Sequence, residues 1–119
     1  MQVQSLDEKY RWRRRKDEML NQAVIVGRLL EKSIVEEKND RKVSFIKLVC
    51  PRPFKNEEGV FENDIIPVVI YDGVATNTYE YVNANDLIGV KGRLEQDGDK
   101  IVLVGEKITF LSSKKEEDE

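Results

Sequence analysis

An all-β domain is expected from this sequence: a five-stranded barrel with one helix between its third and fourth strands, behind a basic amino-terminal arm. Three observations lead there. Short apolar, β-branched runs alternate with polar residues at period two, and there are five of them. One stretch with apolar spacings of three and four falls between the third and fourth runs. Turn-forming Gly, Asn and Asp residues separate the runs. A chain of 119 residues holds one core of this size, not two.

The first segment, "SLDEKYRWRRRKDEM", opens with a capping-box pair, Ser5 and Glu8, but has too few apolar residues for a helical stripe. Residues 1–18 therefore read as an arm. "QAVIVGRLL" is the first strand, broken at Gly27, and "EKSIVEEKNDRK" follows as a loop or an extended hairpin tip. In "VSFIKLVC", Ile46, Leu48 and Cys50 share one face, wholly apolar and expected inside. Phe45, Lys47 and Val49 share the other, a mixture suited to a half-exposed binding face.

Next come a loop, "PRPFKNEEGVFEN", and the strand "DIIPVVIY". Ile66, Val68 and Ile70 fall on one side; Ile65, Pro67, Val69 and Tyr71 fall on the other. Pro67 cannot donate to a ladder and predicts an edge or a bulge. "GVATNTYEYVNAN" supplies the helix, "DLIGVKGRLEQ" the fourth strand, "DGD" a tight turn at 97–99, and "KIVLVGEKITFL" a last strand kinked near Gly105. Five strands with a helix between the third and fourth is the layout of an OB-fold.

Composition limits the chemistry. There is no histidine and only one cysteine, Cys50, so the usual neutral-pH base, the usual zinc ligand and every Cys–His or Ser–His pair are missing. No Gly-Lys-Ser/Thr phosphate loop is present either. No enzyme, metal or cofactor is expected, and Cys50 reads as a small hydrophobe. No run approaches the roughly 20 apolar residues of a membrane span, and the start lacks the apolar core of a signal peptide, so a cytoplasmic location is expected. Net charge is −3, shared as +2 over residues 1–18, −3 over 19–113 and −2 over 114–119. A strongly basic body would point to nucleic acid unaided; here such a role has to rest on where the charges lie.

Five segments in order resemble the bacterial single-stranded DNA-binding protein (SSB) family. "MLNQAVIVGRL" at 19–29 is similar to that family's opening strand, and "RPFK" at 52–55 with its Gly-containing loop to its second hairpin. "VVIY" at 68–71 resembles the third strand, "YEYV" and "LIGVKGRL" within 79–94 the helix end and fourth strand, and "VGEKITFL" at 104–111 the closing strand. The resemblance covers residues 19–112, leaving 1–18 as a basic arm and 113–119 as an acidic tail. It implies an OB-fold that grips single-stranded DNA by aromatic stacking and a basic track, and that self-associates, as a tetramer in preference to a dimer. Replication or repair proteins are its implied partners.

On the matching positions, Phe54 and Tyr71 stand where the family often has stacking aromatics. Arg52 and Lys55 flank Phe54 as phosphate partners, and Lys47 shares the inferred face. Arg28 and Arg93 match the arginines of "VGRL" and "KGRL", and serve either structural pairing or backbone contact. Phe61 is expected to pack in the core or the loop. The arm "RWRRRK" adds Trp12, Arg13, Arg14 and Arg15, which either meet nucleic acid or form a solvated arm with Trp12 packed on a neighbouring subunit.

Three departures matter. Ile65 stands where the family commonly has tryptophan, the loop between the last two strands, often aromatic in the family, is only the acidic "EQDGDK", and "KKEEDE" lacks the family's acidic tip closing in proline and phenylalanine. Weaker binding with a shorter footprint is the consequence expected. The competing reading is an OB-fold protein-interaction module, similar to primosomal accessory proteins, with weak DNA binding.

Overall fold

The computed structural model describes residues 20–113. The expected arm residues Trp12, Arg13, Arg14 and Arg15, and the acidic tail from 114, lie outside the described residues. In chain order the elements are β1 (Ala23–Leu29), β2 (Glu36–Lys38), β3 (Arg41–Lys55), β4 (Phe61–Tyr71), α1 (Asp72–Tyr81), β5 (Leu87–Asp97) and β6 (Lys100–Ser112). The five long strands follow the neighbour order β1-β5-β6-β4-β3, and β1 then pairs with β3 at Arg28↔Val49 and Leu29↔Leu48 to close the barrel. All pairings are antiparallel except β4 with β6, at Val68↔Leu103 and Val69↔Val104. The three residues of β2 pair only with β3 and stiffen a projecting hairpin tip.

Alternation along the strands decides the core. Leu29, Ile46, Leu48, Val68, Ile70, Ile88, Val90 and Leu103 are buried together, joined by Ala75 from α1 and Val82 just after it. Ile46 and Leu48 thus face inward as their spacing predicts, while Cys50 is only half-buried at the margin. Burial, followed by the nearby Asp64 charge, pushes the Cys50 thiol above its ordinary value, which suits a packing role over a reactive one.

Helix α1 is shorter than the "GVATNTYEYVNAN" stretch suggests, because its last carbonyls find a partner early. Lys32 Nζ donates to the carbonyls of Tyr79 and Val82, the latter at 2.8 Å. A cation there also complements the negative end of the helix dipole. After Val82 the chain turns, and Asp86 accepts from the Asn83 N–H at 2.8 Å.

The segment 51–63, expected as a loop, is mostly strand. β3 and β4 stay paired beyond the barrel to Lys55↔Phe61, with one irregularity between Pro51 and Lys55. Only residues 56–60 turn. There the Asn56 side chain accepts from the N–H groups of Glu58 and Val60, both at 2.9 Å, and Gly59 takes φ +81°. An asparagine that bonds its own backbone and a glycine in the left-handed region tighten the reversal, so the strands extend further than the loop-like composition implies. Pro67 lies opposite Lys47 of β3, immediately before β6 joins β4 at Val68, so its missing donor falls at the open part of that flank.

Two close approaches require glycine. At Gly27, where β1 crosses β3 to close the barrel, a Cβ would lie 2.7 Å from Cys50 Sγ and 2.8 Å from the Val49 carbonyl. At Gly92 it would lie 1.8 Å from the Val104 carbonyl oxygen. There Lys91 pairs with Lys107 but Gly92 with Gly105, so Glu106 is left over as a bulge, the kink expected near Gly105. Gly92→Ala will lower stability in urea denaturation by about 2 kcal/mol or more, the range of a forced core clash. Gly89→Ala, whose added carbon meets nothing closer than 3.9 Å, will stay within about 1 kcal/mol of the parent; equal losses would refute the close approach at Gly92 as the constraint.

Candidate nucleic-acid interface

Odd-numbered residues of β4 point away from the barrel interior, and so do the β3 residues opposite them. The ladder stacks Tyr71 beside Val43, Val69 beside Phe45, Pro67 beside Lys47, and Ile65 beside Val49. Cross-strand neighbours share a face, so Lys47 and Tyr71 are brought onto one surface, as the alternation predicts. The lower part of that surface is not bare. Val43, Val69 and Val104 are buried against one another, with Tyr71 and Val102 packed beside them. Val69 is covered by its own chain, because β6 brings Val104 alongside.

Above this apolar floor lies a groove of about 520 Å³. One wall is the β2–β3 tip, with Lys38, Asn39 and Arg41. The other is the β5–β6 hairpin, with Glu95, Gln96 and Asp97; Phe45, Lys47, Pro67 and Tyr71 line the space between. OB-folds receive oligonucleotides on the face of the second and third barrel strands, between the loop joining the first two strands and the loop joining the last two. Here those parts are β3 with β4, the tip carrying β2, and the turn at Gly98–Asp99.

Three rings on this ribbon each carry a cation. Arg41 Cζ sits 4.2 Å from the Tyr71 ring centroid, Lys38 Nζ 5.7 Å from that of Phe45, and Lys55 Nζ 5.6 Å from that of Phe61. Phe45 is 60% exposed and Phe61 54%. Phe61 was expected to pack in the core or the loop; the ribbon runs beyond the barrel there, and among the described residues the ring stays outside the core. Phe54 is the most exposed aromatic described, at 79%. Tyr71 is half-buried at the start of α1. Phe54 and Tyr71 are not brought together: ten strand steps separate Tyr71 from Phe61 at the far end of the ribbon, about 33 Å at the usual rise.

The arginines are placed differently from the lysines. Arg52 forks onto Asp64, Nη2 to Oδ1 at 2.9 Å and Nε to Oδ2 at 3.1 Å, and reaches Glu62 through Nη1 at 3.0 Å. Arg93 pairs with Glu95 at 2.8 Å and with Glu106. Arg28 donates to the Asn85 carbonyl at 2.8 Å, near the end of β1. These three guanidinium groups are engaged within the chain, whereas Lys47 is exposed on the outer face beside Pro67.

Parity counted back from Tyr71 would have found Phe61, as the alternation of β3 already set Phe45 on the face of Lys47. Lys38 and Arg41 carried no such signal, since only the fold of the tip brings them over the rings. Among the described residues no group of three or more His, Cys, Asp or Glu is placed to hold a metal ion, and no helix is long and apolar enough to cross a membrane.

A closed five-stranded barrel with its groove over the second and third strands, rimmed by paired rings and cations, defines an OB-fold of the oligonucleotide-binding class. The chain belongs to the single-strand binding protein family, whose model matches residues 20–106. A single-stranded DNA-binding protein of Oceanobacillus iheyensis is 32% identical over 106 residues, covering 81% of this chain and 66% of its own length. Single-stranded DNA-binding protein 2 of Staphylococcus aureus is 33% identical over 106 residues, 81% of this chain and 75% of the relative. The chain thus spans about two thirds to three quarters of these two relatives. Among solved structures, the SSB domain of a Synechococcus protein superposes with a TM-score of 0.64 at 16% identity, covering 76% of this chain and 96% of that one; at that identity the likeness is one of fold.

The carboxyls of Asp64 and Asp72 sit below their ordinary value of 3.8. A hydrogen bond from Arg52 is the main cause at Asp64, and one from Arg41, then from the Lys42 N–H, at Asp72. A lowered carboxyl favours the folded pairs above 3.8, and the pairs come apart as pH falls through the folded values. An NMR titration will place both midpoints below 3.8, with Arg52→Ala returning Asp64, and Arg41→Ala returning Asp72, toward that value.

Proposed function

We propose that this chain binds single-stranded DNA without sequence preference, laying the strand along the outer face of β3 and β4, and that it does so as a homo-oligomer. The observation that carries the reading is the row of ring–cation pairs on one ribbon, beginning at a groove with an apolar floor. Unpaired bases offer flat faces to such rings whatever their sequence, at about 1–3 kcal/mol per base, while lysines meet the phosphates. Phe45, Phe61 and Phe54 supply rings that meet bases, and Tyr71 the ring beneath Arg41; Lys38, Lys47 and Lys55 supply the charge. Arg52, Arg28 and Arg93 contribute to phosphate binding only as far as they leave their present partners. Trp12, Arg13, Arg14 and Arg15 extend the basic track from the arm. The role is one of binding, without a reaction, in the compartment that holds the DNA, the cytoplasm of a bacterium. Enzymes that open, copy or repair DNA are the class of protein partner implied.

Support for self-association comes from β1. It pairs with β5 along Ala23–Arg28, but β3 joins its other side only at Arg28 and Leu29. Val24 is 67% exposed and Val26 50%. Among the described residues the edge Ala23–Gly27 therefore has one free side and apolar neighbours, the combination that pairs with another strand. A second copy of β1 would satisfy it, and a second interface would make a tetramer.

Two measurements test this. In fluorescence-anisotropy titrations with a labelled oligo-dT, the protein will bind saturably and lose affinity as salt rises; replacing Phe45 and Phe61 together by alanine will weaken binding at least about tenfold. No saturable binding at micromolar protein ends the proposal. In light scattering the chain will run at two or four times the monomer mass, and Val24→Lys with Val26→Lys will halve that mass; a monomeric parent protein rejects the oligomer.

A further inference from the structure

The most ordered of the ring–cation pairs is the one at Tyr71. Arg41 Nε and Nη2 both donate to Asp72 Oδ2, at 3.1 and 2.9 Å, and Asp72 Oδ1 accepts from the Lys42 N–H at 3.3 Å. Both arginine bonds leave from one edge of the planar guanidinium, within its plane. They tie that edge to Asp72 and leave both faces uncovered by these bonds. Cζ lies over the Tyr71 ring, 4.2 Å from the centroid, a separation that suits a guanidinium stacked on the ring. Arg41 itself lines the groove together with Phe45, Lys47, Val69 and Tyr71, so a ligand in the groove can reach the guanidinium.

The backbone agrees. Asp72 holds φ at +52°, in the left-handed region where glycine is the comfortable choice. Aspartate tolerates that region better than most residues, and here its carboxylate ties the β3 start to the β4 end through two partners. The side chain gives a reason for a residue other than glycine at that bend.

We infer that Arg41 is the stacking surface for a nucleobase at this end of the groove, layered base–Arg41–Tyr71, with Asp72 as the residue that positions it. This rests on the single-strand reading above and deepens it. Guanidinium planes serve as stacking platforms for unpaired bases, and a ring behind the plane adds the cation–π attraction. Tyr71 then acts through Arg41 instead of meeting the base directly. Lysine cannot replace arginine in such a layer, since an ammonium has no face, although it would replace it as a phosphate contact.

Anisotropy titrations of a labelled oligo-dT against the full chain, across a series of salt concentrations, separate these roles. Arg41→Lys is expected to lose nearly as much affinity as Arg41→Ala, about tenfold, with an unchanged salt slope. Asp72→Asn should weaken binding by a smaller factor, although it removes a negative charge beside the DNA. In NMR spectra of the parent protein, the Arg41 Nε–H signal should move upfield when oligo-dT is added, under the ring current of a base. Arg41→Lys at parental affinity, with Arg41→Ala lowering the salt slope by about one, would make Arg41 a phosphate contact and overturn the inference. Tighter binding by Arg41→Ala would make Arg41 an obstruction over Tyr71 and overturn it as well. A parent protein that does not bind overturns this inference together with the single-strand reading; a parent that binds, with lysine equivalent to arginine, overturns this inference alone.

Discussion

The ladder between β3 and β4 is the constraint on which the rest depends. From Val43↔Tyr71 to Pro51↔Asn63 it runs without a break, and its period of two sorts every residue. Ile46, Leu48, Val68 and Ile70 go into the core, while Phe45, Lys47, Ile65 and Pro67 go outward. A slip of one residue would exchange those sets, placing Lys47 in the barrel and Ile46 in water. The same ladder that builds the core therefore sets the register of the binding surface. Its continuation past the barrel to Lys55↔Phe61 extends the outer face well beyond the core.

Charge placement resolves how a chain of net charge −3 presents a face to a polyanion. Carboxylates near the ribbon are matched to arginines: Asp64 and Glu62 to Arg52, Glu95 and Glu106 to Arg93, Asp72 to Arg41. These pairs are exposed, and exposed pairs contribute little to stability. Their effect is on the local field, since each neutralises acids that would otherwise repel phosphate. Lys38 and Lys55, whose partners are rings, keep their charge available. The Asp97 side of the groove stays acidic, while the tip across from it carries Lys38 and Arg41.

Much of the barrel was legible beforehand because strands announce themselves by alternation. The five runs, the helix between the third and fourth, the turn at Gly98 and the outward parity of Lys47 with Tyr71 all followed from period and turn chemistry. The long ribbon was not legible: "PRPFKNEEGVFEN" is rich in loop-forming residues, yet two strands leaving a barrel already paired keep their hydrogen bonds until a turn forces them apart. Phe61 was misplaced for that reason. Its burial depends on what lies under the ribbon, which no local pattern describes.

What the sequence alone determined was the alternation of faces and hence the core, the barrel and the residue types offered outward. Tertiary structure decided which of those residues meet. Arg41 and Tyr71 stand thirty positions apart and carry no shared motif; they touch because Val43 pairs with Tyr71 and the tip folds Arg41 back over the ring. Arg52 stands beside Phe54 in the sequence, and only the ladder, which sets Asp64 across from Cys50, brings a carboxylate within reach of its guanidinium. Side-chain period is a local property of an extended chain, whereas partnership between charges and rings depends on closure, and closure is a property of the whole barrel.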